Sequence, residues 1–245
     1  HSSLVLVIIF NMTEIGEQIT HPVLKEYSNE IFGLPSCRLS TAPVTYPEAV
    51  SEMEAHIAAM RTGEHDELLW FLEHPPLYTA GTGAQESDLL SPEKFPVFKS
   101  GRGGQFTYHG PGQRVVYVML DLNHRGRDVR RVVQHLQNWI INALNECGLQ
   151  ARADSAHIGV WVDRPDLGEN RADKIAAIGV RLRKWISFHG ISINVSPDLT
   201  HFNGIVPCGI ADQSVTSLKA LGMDISMTEL DEALIKTFQS SFEID

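Results

Sequence analysis

Two residues of this chain are equipped for covalent chemistry, the thiol of Cys208 and the amine of Lys174. Cys208 lies in Val206-Pro207-Cys208-Gly209-Ile210, between a proline that fixes one backbone angle and a glycine that frees the next. That setting suits a nucleophile presented on a tight turn. Lys174 opens the run Lys-Ile-Ala-Ala-Ile-Gly, where an ammonium beside apolar residues must find a partner or shift its proton equilibrium. A free thiol titrates near about 8.5 and needs activation, which a neighbouring cation supplies by stabilising the thiolate. Taken as a pair, Cys208 and Lys174 point to covalent acyl transfer. Each has a plainer reading as well, Cys208 as a small buried hydrophobe and Lys174 as a solvated charge at a strand end.

Upstream of both, Gly101-Arg102-Gly103-Gly104-Gln105-Phe106-Thr107-Tyr108-His109-Gly110-Pro111-Gly112 is the densest glycine stretch in the chain. Such a stretch lets backbone N–H groups approach a carbonyl or phosphate, or simply turns a hairpin. It has neither the P-loop nor the dinucleotide-binding spacing. His109, His157, His189 and His201 are rival partners for a nucleophilic cysteine, and their spacing fits no metal template, so no metal site is expected. Basic residues gather in two places, Arg125, Arg127, Arg130 and Arg131, and Arg181, Arg183 and Lys184. They read either as a solvated face or as a dock for an acidic protein.

The elements that must position these groups alternate along the chain. Ala49, Val50, Met53, Ile57 and Met60 recur at helical spacing between Pro47 and Gly63. Residues 67–73 form a continuous apolar run that suits a buried strand, followed by a polar connector with Gly81, Gly83 and Pro92. Strands are expected at 114–121, 157–162, 175–182 and 185–195, the last two pairing around Arg183-Lys184, with Gly190 marking a bulge or a close backbone approach. Asp128 caps a helix with apolar positions from Val129 to Cys147, and Gly148 stops it. Cys147 is expected in its core. A short helix is expected at 214–221, and Ser226 with Glu229 forms a capping box for a last helix burying Leu230, Leu234, Phe238 and Phe242. Links too short for helical crossovers favour an α+β domain with a mixed, largely antiparallel sheet flanked by helices.

The 245 residues suffice for one domain with a full core, and 43% hydrophobic with 20% charged residues is the composition of a soluble globular protein. A net charge of −10 argues against a general nucleic-acid binder. Cys37, Cys147 and Cys208 are too few and too far apart for a disulfide framework, which fits a reducing cytoplasm. The apolar run 4–10 is too short to span a bilayer and has no basic leader. Residues 1–35 are expected to be a poorly ordered N-terminal segment, a tag remnant or upstream residues, ahead of a catalytic domain over 36–245.

Four ordered segments carry a resemblance: Arg102-Gly-Gly-Gln-Phe-Thr-Tyr-His109-Gly-Pro-Gly-Gln113, Lys174-Ile-Ala-Ala-Ile-Gly179-Val-Arg181, Ser187-Phe-His-Gly190-Ile-Ser-Ile-Asn194-Val and Pro207-Cys-Gly-Ile210. Together they resemble the signature segments of octanoyltransferases, also called lipoyl(octanoyl) transferases. The resemblance implies the fold of biotin and lipoate protein ligase catalytic domains. It also implies transfer of an octanoyl group from acyl carrier protein to a lysine of a lipoyl domain, in 2-oxoacid dehydrogenases or the glycine-cleavage H protein. Carried over by position, Cys208 is the acyl-thioester nucleophile and Lys174 its activator. Arg102, Gly103, Gly104, Gln105, Phe106, Thr107, Tyr108 and His109, with Ala177, Ile178 and Gly179 and with Gly190, Ile191 and Ser192, line the acyl and thioester pocket. Backbone N–H groups at Gly209 or near Gly103 are the expected oxyanion donors. No resident cofactor or ATP is implied, because the substrate arrives activated on the phosphopantetheine arm of its carrier. A monomeric, cytoplasmic enzyme is expected. The competing readings are an ATP-dependent lipoate or biotin ligase, a noncatalytic lipoyl-domain or carrier-binding module, and a Cys–His hydrolase.

Overall fold

Leu-Leu-Trp-Phe-Leu at 68–72 and Gln-Arg-Val-Val-Tyr-Val-Met at 113–119 are buried at every position, as befits strands whose sheet is covered on both faces. They lie near the middle of the larger of two sheets in the computed structural model, which describes residues 34–206 and 214–242. In spatial order that sheet is β1 (Ser36–Leu39), β2 (Leu68–Leu72), β6 (Gln113–Met119), β10 (Ile186–Asn194), β9 (Ala172–Arg183), β8 (Val160–Asp163) and β7 (Arg152–Ala153). Only β1 and β2 run parallel. A smaller sheet joins β4 (Val97–Lys99), β3 (Leu77–Ala80) and β5 (Phe106–His109).

Helices cover the larger sheet because their apolar positions fall on one side. On one face, α2 (Val129–Glu146) and α3 (Met227–Phe242) bring Leu136, Trp139, Ile140, Leu144, Leu230, Leu234 and Phe238 against Val116, Val118, Ile191 and Ile193. Each such side chain contributes about 1.5–3 kcal/mol by leaving water. Trp139 also donates its indole N–H to the Leu234 carbonyl across the helix pair, at 2.7 Å. On the other face, α1 (Tyr46–Thr62) sets Ala49, Met53 and Ile57 over Trp70, Val115 and Met119. The helix ends follow their signals. Asp128 accepts from the N–H groups of Arg130 and Arg131, Ser226 and Glu229 close the capping box, and Gly63 ends α1 in the left-handed region.

The expected α+β domain with a mixed, largely antiparallel sheet is therefore the observed one. Several details differ. The connector after residue 73 contains β3, too short to announce itself after His74-Pro75-Pro76, and the glycine-rich stretch contains β5; with β4 they build the second sheet. The 157–162 strand begins only at Val160, because Asp154 accepts from the N–H groups of Ala156 and His157 and turns the chain there. Instead of a helix at 214–221, Val215 bridges Lys174 and only Lys219–Leu221 is helical. Val129 is exposed rather than core, and Cys147 is half-buried at the core's edge. The β9–β10 turn falls on Lys184-Trp185, both at positive φ, one residue later than Arg183-Lys184. Gly190 is the close approach: a β-carbon there would stand 2.1 Å from the Val116 carbonyl oxygen.

Candidate active site

Register decides where Lys174 points. Val160 faces Ala176 and Trp161 faces Lys174, so Ile175 is an extra residue on β9 with no partner on β8. A bulge of this kind re-aims the side chains on either side of it. Ile175 joins the α2–α3 core, whereas Lys174 pairs with Trp161 and enters a cleft with Thr107, Gln113, Ala176, Ala177, Ser192, Asn194, Phe202 and Val215. The cleft thus lies between the larger sheet, β5 of the smaller sheet and the turn over Leu199–Gly204.

Lys174 is 6% exposed, not a solvated charge. Its Nζ donates to the Ile158 carbonyl at 3.0 Å and sits 4.6 Å from the centre of the Trp161 ring. The carbonyl and the indole face hold the lysine nitrogen in place at the cleft. Among the described lining residues Lys174 alone carries a formal charge. Gly159 leaves room for it. At φ +137 a β-carbon there would meet Lys174 Cε at 2.9 Å.

Cys208 lies outside the described residues, in 207–213, as does Gly209. The chain on either side of that segment is anchored, on its far side at the cleft. Val206 donates to the Asp88 carbonyl at 2.8 Å, Lys174 N–H donates to Ser214 O at 2.9 Å, and Thr216 N–H returns to Lys174 O at 2.9 Å. An amide network extends this anchor. Gln113 Nε2 donates to Tyr108 O and Asn194 Oδ1, and Asn194 Nδ2 donates to Thr216 O at 2.9 Å. With its amide nitrogen so committed, Gln113 presents Oε1 to accept from Nδ1–H of His109 at 2.7 Å.

The glycine-rich loop is built around Arg102. Its guanidinium donates to the carbonyls of Thr79, Gly103 and Gln105 and to Thr79 Oγ1, clamping the loop's own backbone to β3. Gly179 makes that possible, since a β-carbon there would stand 2.7 Å from Arg102 Cδ. Gly103 N–H donates to Val180 O at 3.1 Å, so it is committed to β9 rather than open to an oxyanion.

Of the residues singled out from the sequence, Thr107, Lys174, Ala177 and Ser192 share the cleft. Phe106 and Tyr108 belong to the core beneath the smaller sheet, and Ile178 and Ile191 pair with each other and pack on the α2–α3 side. Gly104, at φ +90, and Gln105 are turns of the clamped loop, and Gly190 packs on β6. Gln113, Asn194, Phe202, Val215, Gly159 and Trp161 were not singled out for the site. Gln113 ends one of the four quoted segments and Asn194 stands next to last in another, which is the one signal they carry.

The rival histidines are engaged elsewhere. His201 Nδ1 is 2.8 Å from the Tyr108 hydroxyl and His157 lies 3.1 Å from Asp154. Burial pushes His109 down to about 3 and His189 down to about 4, so both are neutral imidazoles at neutral pH. Beneath them His74, pushed by burial down to about 4, donates to the Val44 carbonyl at 2.6 Å and accepts from the Tyr117 hydroxyl at 2.7 Å. No group of His, Cys, Asp and Glu among the described residues could hold a metal ion. No helix among them is long and apolar enough to cross a membrane.

The chain and its fold have counterparts among known proteins. Residues 45–239 match the family described as the lipoyl protein ligase A/B catalytic domain. An octanoyltransferase of Jannaschia sp. is 60% identical over 208 residues, covering 83% of this chain and 96% of its own. One of Caulobacter vibrioides is 58% identical over 204 residues, covering 83% and 90%. Among solved structures, a bipartite lipoate protein ligase of Thermoplasma acidophilum superposes with a TM-score of 0.59 at 18% identity, covering 84% of this chain and 83% of that one. A lipoate-protein ligase A bound with ATP gives a TM-score of 0.60 at 17% identity, covering 85% and 87%, which speaks to the fold alone. The chain belongs to the octanoyltransferases of the lipoyl protein ligase A/B catalytic-domain family.

Proposed function

We propose that the octanoyl group this acyltransferase moves in protein lipoylation travels through a thioester on Cys208. The donor is octanoyl-acyl carrier protein, and the acceptor is a lysine of a lipoyl domain, in 2-oxoacid dehydrogenases or the glycine-cleavage H protein. In the first half-reaction Cys208 gives its proton to Lys174 and its sulfur attacks the carrier thioester. The new carbon–sulfur bond replaces the old one, and the departing carrier thiolate takes the proton. One thioester replaces another, so the step is close to even in free energy and needs no ATP or resident cofactor. In the second, the acceptor amine attacks the Cys208 thioester, Lys174 takes the proton that the nitrogen sheds, and an amide forms as the Cys208 thiolate leaves.

The observation that carries this reading is the burial of Lys174 beside the anchored flank at Ser214–Thr216, in a cleft whose walls include Ala177, Phe202 and Val215. Small and apolar walls suit an alkyl chain, at about 0.8 kcal/mol for each methylene they remove from water. Thr107 and Ser192 bring hydroxyls to the same cleft for the polar end of the substrate. The enzyme acts as a monomer in the cytoplasm on this reading.

Replacing Lys174 tests it. In an ATP-free assay, Lys174→Met should lower octanoyl transfer by at least about a hundredfold, the scale of a lost proton-transfer catalyst, and slow alkylation of Cys208 at neutral pH. Transfer that survives the substitution, or that appears only when octanoate and ATP are supplied, contradicts the proposal.

A further inference from the structure

Two basic clusters far apart in sequence come to the same end of the larger sheet. Leu122 N–H donates to Trp185 O at 2.7 Å, and Asp121 bridges Ile186, so the loop leading into α2 lies against the tip of the β9–β10 hairpin. Arg127 and Arg130 on the first side and Arg181, Arg183 and Lys184 on the second are exposed. Among the described residues none of these five forms an ion pair, whereas Arg38, Arg114, Arg125, Arg152, Arg164 and Lys236 each hold a carboxylate. Arg127 has only the Asn123 side-chain oxygen, at 3.0 Å. The acids nearby are committed within the protein: Asp128 caps α2, Asp121 holds Asn123, and Glu67 holds Arg125. A positive face is therefore left open on a chain of net charge −10.

The hairpin tip itself is unusual. Lys184 and Trp185 occupy its two turn positions at φ +53 and +66, where a tight hairpin ordinarily uses Asn-Gly because residues with a β-carbon are strained there. The turn sets a half-buried tryptophan, packed at the edge of the α2–α3 core, next to the exposed Lys184. Trp and Arg are the side chains most enriched where protein partners bind strongly.

The position of this face relative to the cleft is also informative. Arg181 packs its guanidinium over Phe188 and against Gly101, where a β-carbon would meet it at 2.3 Å, so the hairpin abuts the glycine-rich loop. Lys174 lies seven residues back from Arg181 along the same strand, about 23 Å away at the rise of a β-strand. A substrate anchored at the hairpin reaches Lys174 only on a long arm.

We infer that this end of the sheet, with Arg181, Arg183 and Lys184 on the hairpin and Arg127 and Arg130 on the adjoining loop and helix, docks an acidic carrier protein, whose prosthetic arm then runs past the glycine-rich loop to the cleft. This rests on the carrier-dependent reaction proposed above and adds the surface on which the carrier sits. Charge complementarity of this kind raises the encounter rate and is screened by salt.

The test uses the full chain and the paired variant Arg183→Glu/Lys184→Glu, with octanoyl-acyl carrier protein and with octanoyl-pantetheine as donors. The variant should raise KM for the carrier at least tenfold with little change in kcat, flatten the salt dependence, and leave turnover of octanoyl-pantetheine unchanged. Equal losses on both donors, or none on the carrier, overturn the docking face. Direct titration with holo-acyl carrier protein separates the two proposals. Binding by the parent protein that the variant loses supports the face even if neither donor is turned over. Undiminished carrier binding by the variant, or parent protein that binds anionic phospholipid vesicles or DNA but not the carrier, overturns it.

Discussion

The room for Lys174 is made by one missing side chain. Gly159 combines φ +137 with a site where a β-carbon would stand 2.9 Å from both Lys174 Cε and the Ala176 carbonyl oxygen. The lysine cannot yield without leaving the Ile158 carbonyl and the Trp161 ring. Gly159→Ala is therefore expected to lower octanoyl transfer at least tenfold, measured as initial rate on a folded protein. The added strain costs about 1 kcal/mol or more in chemical denaturation. A parental rate at reduced stability would show that the position of Lys174 does not depend on Gly159. At this scale the sequence was partly legible. Lys174 stands out because a charge in an apolar run needs an explanation, but Gly159 sits in His-Ile-Gly-Val with nothing to mark it, since its role depends on a strand that pairs from outside its own segment.

Among the elements, the bulge in β9 and the end of β10 do the positioning. Ile175 drops out of the β8 ladder, which puts Lys174 on the cleft side while Ile175 stays in the α2–α3 core. At the end of β10, Asn194 joins Gln113 to the Thr216 carbonyl, and Thr216 N–H is bonded to Lys174 O. Asn194→Ala leaves Thr216 O without its side-chain donor and Gln113 with one acceptor fewer. The expected cost is about 1–3 kcal/mol in urea unfolding, the scale of a buried polar group left unsatisfied. Transfer should slow at saturating donor and acceptor, because the strand beside Lys174 is loosened. A stability loss with an unchanged rate would make the network a fold element only. Helix caps and long apolar strands were legible because Asp128, the Ser226–Glu229 box and residues 68–72 act locally. The second sheet was not, because Leu77–Ala80 is four residues long and acquires its identity by pairing with β4 and β5. Phe106, Tyr108, Ile178 and Ile191 lie in ordered segments near the site, yet their side chains pack into cores, a distinction that only the alternation of faces reveals.

For the whole molecule, the sheet acts as a ruler between two kinds of surface. One end of β9 carries Lys174 into a cleft lined by Ala177, Ser192, Phe202 and Val215, and the other end carries the unpaired cations of the hairpin on an otherwise acidic chain. The fold is shared with a lipoate-protein ligase A bound with ATP, so the architecture does not choose between activated donors. The choice rests on a covalent intermediate that a thioester-using enzyme must form and an adenylating one need not. The most direct measurement is mass spectrometry of the intact protein and its peptides after mixing with octanoyl-acyl carrier protein in the absence of ATP, followed by addition of an apo lipoyl domain. One octanoyl group is expected on the Cys208 peptide, disappearing as a lipoyl-domain lysine gains it. A lipoyl domain modified with Cys208 never acylated, or modified only with octanoate and ATP present, would contradict it.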